Sequence, residues 1–190
     1  MTSAFRDDIR RLSGKGSSPG VARCIRICAS NYGAQALLAY RFGRYLLQAT
    51  TKPYVWPLLP IGWIAYFLFS RYVRLAFDIQ LHLSATIGSG LYIGHFGNIV
   101  LRECQLGRNC SISHSTRVEP SADGGPGPTI GDQVWIGAHA RIQGAYRVGD
   151  RATVSAAAVV MRDIPPRALC LGDPARVVAL DYDNSRMLFL

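Results

Sequence analysis

Two stretches, LHLSATIGSGLYIGHFGNIV at residues 81–100 and TIGDQVWIGAHARIQGAYRVGDRATVSAAAVV at 129–160, keep the same six-residue beat. An aliphatic residue returns at Leu81, Ile87, Ile93 and Ile99, then after one extra position at Leu106, Ile112 and Val118. After an interruption it resumes at Ile130, Ile136, Ile142, Val148, Val154 and Val160. Glycine follows directly at 88, 94, 107, 131, 137 and 149. A helix repeats every ~3.6 residues and a strand every two, so neither explains a period of six. A short flat strand repeated three times per turn does. The aliphatic side chain points into a triangular prism, and the small residue beside it lets the backbone turn the corner. Such a coil takes roughly 18 residues and stacks on the next at ~4.8 Å through ladder hydrogen bonds.

On that prism the hexads at 93, 112, 136 and 154 share one face, provided a six-residue insertion within 119–129 is set aside. Their third residues, His95, His114, Ala138 and Ala156, then form a vertical column of two imidazoles below two methyl groups. A long thin ligand could lie along the alanines and present its reactive end to the histidines. The insertion, Glu119 to Thr129, is too rich in Gly and Pro to join a ladder and is expected to leave the prism as a loop, where sites often sit.

These hexads resemble the hexapeptide-repeat acyltransferases, which are left-handed parallel β-helices, over residues 78 to about 178. The resemblance implies a mainly β fold wound left-handed, against the usual preference for right-handed crossovers. Asp163-Ile164-Pro165-Pro166 is expected to mark the last coil, because consecutive prolines cannot continue a ladder. The segment Leu171-Gly172-Asp173-Pro174-Ala175-Arg176-Val177-Val178 is similar to the family's closing G-x-P-A-[KR] pattern.

Gly90-Leu91-Tyr92-Ile93-Gly94-His95-Phe96-Gly97 is similar to the segment holding the active-site histidine of serine acetyltransferases and their sugar-modifying relatives. Val134-Trp135-Ile136-Gly137-Ala138 and the region of Ala156 resemble the acetyl-CoA wall. The resemblance implies acetyl transfer from acetyl-CoA to a hydroxyl by a homotrimer, without a metal. His95 would be the general base, a role imidazole suits because its ordinary pKa lies near neutrality. Gln80 or Asp78 would orient its ring, and His114 would join the catalytic site, or else stack beneath it or line a subunit contact. Gly137, Ala138, Ala156, Arg162 and Arg176 would hold the co-substrate. His139 reads as a surface residue, and His82, at the start of the first coil, has no partner visible from sequence.

Three departures bear on the acceptor. Serine-specific members place an aspartate directly before the catalytic histidine, where this chain has Gly94. They end the inserted loop with Arg-His-Pro, where this chain has Pro126-Gly127-Pro128, and carry an aspartate where it has Gln80. The groups that would grip a zwitterion are missing. The expected acceptor is therefore a sugar hydroxyl, on a free or lipid-linked precursor in polysaccharide biosynthesis, with serine O-acetylation as the alternative. Metal hydration chemistry of the γ-carbonic-anhydrase type would need converging histidines, which the sequence gaps between His95, His114 and His139 do not suggest. A non-catalytic β-helix would make the histidine column an accident.

The front of the chain has a different chemistry. Residues 1–74 hold eleven Lys and Arg against Asp7 and Asp8, whereas residues 75–190 hold ten of each sign. With 49% hydrophobic and 17% charged residues the chain is not disordered, and its 19 Gly and 10 Pro argue against a simple helical bundle. Apolar spacing predicts a helix over 20–50, followed by eighteen uncharged residues at 53–70. Pro57, Pro60 and Gly62 interrupt that run, leaving roughly ten to fifteen helical residues from Ile61, too few to span a bilayer. The expectation is a basic, apolar helical region at 1–77 lying on the anionic inner face of the cell membrane, with Trp56, Trp63 and Tyr66 at headgroup level. The other reading is a helical cap on the β-helix. Nucleic acid has no use for the apolar run. The β-helix is assigned to 78–178 and a tail to 179–190. The polar opening MTSAFRDDIRRLSGKGSS does not read as a secretory signal. Five cysteines with no metal or disulfide spacing (Cys24, Cys28, Cys104, Cys110 and Cys170) read as reduced, cytoplasmic thiols.

Overall fold

The computed structural model describes residues 3–13, 20–50, 53–95 and 97–188. Phe96 of the histidine motif and Lys15 and Lys52 of the basic half lie outside them. Helices α1 (Ser3–Leu12), α2 (Val21–Ser30), α3 (Tyr32–Ala49) and α4 (Leu59–Phe77) come first, with a 3-10 turn at Pro53–Leu58. Short strands then run from Ile79 to Ala179, and α5 (Ser185–Leu188) follows.

The strands form three sheets in which each strand but the last pairs in parallel with the one a coil away. One face stacks Ile93, Ile112, Ile136, Val154 and Cys170 in register, and a second stacks Ile87, Leu106, Ile130 and Val148. The third stacks Leu81, Leu101, Val118, Ile142 and Val160. Leu101 therefore holds the position that the period of six assigns to Ile99. Ile99 pairs instead with Ile79, and both Ile99 and Leu101 point inward with no exposed surface. The six-residue insertion leaves the stack as expected, and its end comes back against Glu103. A Cβ on Gly127 would lie 1.7 Å from the Glu103 carbonyl oxygen, so only glycine fits there.

The glycines after the aliphatics are small for a reason other than turning. A Cβ on Gly107 would sit 2.4 Å from the Gly131 carbonyl oxygen of the next coil. Coil-on-coil pressure sets these positions except Gly94, where a Cβ would lie 3.5 Å from the Tyr92 ring, an ordinary contact. The left-handed backbone falls two residues later, at Asn109, Gln133 and Arg151, and at Arg167 two after Pro165, each with φ 57°. Pro165 and Pro166 do not end the ladder: Ile164 bridges Val148, and Leu169–Leu171 pairs with Thr153–Val154. The stack ends where the antiparallel strand Arg176–Ala179 folds onto Leu169–Leu171.

The expected helix over 20–50 is two helices. Asn31 breaks it with extended backbone (φ −117°, ψ 115°), and its side chain accepts the Ala34 N–H at 3.0 Å, capping α3. Helix α4 is longer than expected, because Pro60 occupies the first turn, where its missing N–H costs nothing.

Part of the basic charge is spent on the β-helix itself. The buried carboxylate of Asp8 accepts from Gly90 N–H at 2.6 Å, Leu91 N–H at 3.1 Å and Arg41 Nε at 3.0 Å. Arg41 also donates to the Ile87 carbonyl at 2.7 Å, and Tyr40 to the Ala85 carbonyl at 2.8 Å. Arg11 donates to the carbonyls of Gly90, Cys110 and Leu188 and to Ser111 Oγ. Burial pulls its guanidinium down to about 10, which still leaves it charged at neutral pH. The tail is held in the same way, with Asn184 donating to the Gln133 carbonyl at 3.0 Å. All five cysteines are free, and burial pushes Cys104 and Cys110 up to about 12 and Cys170 up to about 11. Those three are packing residues.

Candidate active site

His95 stands on the turn between the strands Tyr92–Ile93 and Ile99–Leu101. The turn is held from several directions. The Tyr32 hydroxyl, at the start of α3, donates to the Gly94 carbonyl at 2.8 Å. Gly33 permits that approach, since a Cβ there would lie 3.1 Å from the Ile93 Cβ. Gly97 N–H donates to the Phe77 carbonyl at 3.0 Å, and Ser115 N–H to the Gly97 carbonyl at 2.7 Å. Arg117 donates to the Asn98 side-chain oxygen at 3.3 Å. The His95 side chain itself is exposed.

The column forms as the hexad arithmetic places it. The His95 and His114 rings meet edge to face with centroids 5.7 Å apart. His139 joins them, its ring 5.2 Å from that of His114. Its backbone is left-handed (φ 60°), and its N–H donates to the His114 carbonyl at 3.0 Å. Three imidazoles therefore run in series, where two were expected. Ala138 is half-buried and Ala156 exposed in the coils above, and by register Gly172 follows them. Gly137 must be glycine for stacking alone, because a Cβ would lie 2.5 Å from the Ala156 nitrogen. Arg162 and Arg176 are both exposed near the end of the stack.

Two expected partners of His95 do other work. Asp78, in left-handed conformation (φ 51°) at the C-terminus of α4, accepts the Asn98 N–H at 3.0 Å. Its carboxylate anchors the turn rather than the imidazole. Gln80 lines a cavity of about 460 Å³ with Tyr66, Ser70, Arg71 and His82 on the α4 side of the first coil. Among the described residues neither has a hydrogen bond to His95. In that cavity burial and the neighbouring Arg102 and Arg74 hold the His82 imidazole below its ordinary value. Tyr32 is the functional neighbour that periodicity does not flag, since it reads as one more apolar position of a helix.

A parallel solenoid of six-residue repeats with a histidine-to-alanine column along one corner is the architecture expected of the left-handed β-helix acetyltransferases. No family model matches the chain. Curated relatives do. The chain is 33% identical over 120 residues to the serine acetyltransferase of Helicobacter pylori, covering 59% of this chain and 67% of that one. It is 33% identical over 159 residues to the serine acetyltransferase of Escherichia coli K12, covering 82% of this chain and 54% of that one. Among solved structures, soybean serine acetyltransferase complexed with serine superposes with a TM-score of 0.73 at 28% identity, over 93% of this chain and 68% of that one. A serine acetyltransferase in complex with CoA superposes with a TM-score of 0.69 at 25% identity, over 92% and 68%. This chain belongs to the serine acetyltransferase family. It spans little more than half the length of several curated relatives, 58% for that of Buchnera aphidicola.

The comparisons overturn the sugar acceptor and the role in polysaccharide biosynthesis expected from the sequence. The relatives and neighbours above are named serine acetyltransferases, and the soybean structure holds serine. Gly94, Pro126-Gly127-Pro128 and Gln80 are departures found in a chain that matches that family.

Proposed function

We propose that this chain is an acetyl-CoA-dependent serine O-acetyltransferase in which His95 is the general base. The serine hydroxyl oxygen attacks the thioester carbonyl while the His95 imidazole takes the hydroxyl proton. The tetrahedral intermediate then collapses with cleavage of the carbon–sulfur bond. The sulfur leaves as the CoA thiol, carrying the proton back from the imidazolium, and O-acetylserine is the ester product.

The observation that carries this reading is the placement of His95 at the foot of the column, in a chain that is 33% identical to serine acetyltransferases over most of its length. Ala138 and Ala156 leave a strip free of bulk along which the pantetheine arm runs. Arg162 and Arg176 offer guanidinium forks to the nucleotide phosphates. His114 and His139 stand between His95 and the alanine strip, where the acetyl group of the donor would meet the acceptor hydroxyl. The active assembly is a homotrimer, which supplies a second wall to this exposed corner. The test uses carbonyl-labelled acetyl-CoA with L-serine and follows the label by NMR. The label is expected in an ester on the serine side-chain oxygen, and label found only in free acetate would reject the proposal.

A further inference from the structure

Helix α4 is apolar on two opposite sides, with its only charges, Arg71 and Arg74, toward its C-terminal end. Its inner side meets α3 and the first coil: a Cβ on Gly62 would touch Leu46, one on Gly43 would touch Tyr66, and Val73 is buried. At about 100° per residue the opposite side carries Ile61, Ile64, Phe67, Leu68, Tyr72 and Leu75, with Arg71 among them. The six apolar residues are 50–72% exposed. Apolar residues scattered singly over a surface are normal, but six on one helix face form the kind of patch that marks an interaction site. Trp56, at the entry to the helix, is 60% exposed.

Charge selects the occupant. Helix α4 contains no Asp or Glu, and its charged residues, Arg71 and Arg74, are both exposed at its C-terminal end. Residues 1–74 hold eleven Lys and Arg against two Asp, and both are in α1, where Asp8 is already paired with Arg41. Two copies meeting through this face would bring Arg71 and Arg74 of each into one apolar seam with no carboxylate from either helix. An anionic lipid surface supplies hydrocarbon for the apolar face and negative headgroups for the arginines. Among the described residues no helix is long and apolar enough to cross a membrane. The helix would lie in the plane of the surface.

We propose that α4 is a lipid-docking helix. It seats Ile61, Ile64, Phe67, Leu68, Tyr72 and Leu75 among the acyl chains of an anionic bilayer, with Arg71 and Arg74 reaching up to the headgroups. This goes beyond acetyl transfer, because it places the enzyme at a membrane surface.

The test is co-sedimentation of the full chain with vesicles of phosphatidylcholine alone, or mixed with phosphatidylglycerol, at low and high salt. The chain is expected to pellet with the mixed vesicles, to bind more weakly in high salt, and to bind phosphatidylcholine less. Ile64→Glu with Leu68→Glu should lower binding by roughly a hundredfold or more, since both lose their burial among the acyl chains. Arg71→Gln and Arg74→Gln should each lower binding to the mixed vesicles roughly fivefold, from ~1 kcal/mol per cation. All these variants should keep wild-type serine acetylation in solution, which separates loss of docking from loss of fold or of activity. A wild-type chain that ignores mixed vesicles at low salt would overturn the proposal. So would Glu variants whose particle mass by light scattering falls below that of wild type, because the face would then be a protein interface.

Discussion

The hydroxyl of Tyr32 donates to the carbonyl of Gly94 at 2.8 Å, one residue before His95 and 62 positions away in sequence. The first turn of α3 thus sets the height and tilt of the turn that carries the imidazole. Tyr32→Phe removes the bond and little packing. It should lower kcat by about tenfold to a hundredfold, because a misplaced reacting group is costly, while stability falls by only ~1 kcal/mol. Steady-state kinetics beside denaturant titration check this. A stability loss with kcat unchanged would make Tyr32 a fold residue only.

His95→Ala should lower kcat by ~10²–10⁴, the usual worth of a general base, with acetyl-CoA affinity and thermal unfolding nearly unchanged because the side chain is exposed. His114→Ala should cost less, since it removes an edge-to-face neighbour at 5.7 Å and no proton acceptor. Activity of His95→Ala within threefold of wild type would remove that residue from the mechanism.

Ala156→Trp should raise the acetyl-CoA dissociation constant at least ~tenfold by filling the strip beside Ala138. Its effect on thermal unfolding should be small, because Ala156 is exposed and surface substitutions shift stability by only about half a kcal/mol. Titration calorimetry with CoA is the direct readout. Unchanged affinity would place the donor on another face.

Much of this was legible in the sequence, for local reasons. The period of six fixes which residues point inward, so Ile93, Ile112, Ile136 and Val154 could be stacked by counting, and the histidine–alanine column with them. Counting fails where the chain leaves the period. After the His95 turn both Ile99 and Leu101 point inward, and only the pairing with Leu81 shows which one continues the column. The break at Asn31 was masked because apolar spacing runs through it, although an Asn three residues before the N–H it caps is a readable signal. The contacts of Asp8 and Arg11 span 33 to 177 positions and leave no local trace. Missing motif residues point to a sugar acceptor, a weak signal where most of the chain aligns with serine acetyltransferases.

Asp8 and Arg41 form the buried ion pair that joins the helices to the first coil, at 3.0 Å with the Asp8 side chain wholly shielded. Removing one partner leaves the other charged and dry. Asp8→Ala or Arg41→Ala should each cost ~3–5 kcal/mol in denaturant unfolding, and the double variant less than the sum. Additive losses would mean that the pair is not coupled. The same contacts argue that cutting away residues 1–74 exposes unpaired backbone at the first coil rather than releasing an intact β-helix.

The central claim is tested most directly by the rate of CoA thiol release from acetyl-CoA as L-serine is varied. The account predicts a rate that rises with serine to saturation, with O-acetylserine formed in equal amount to CoA, and that collapses in His95→Ala. A thiol release rate that is the same with and without serine, or equal in His95→Ala and wild type, would contradict it.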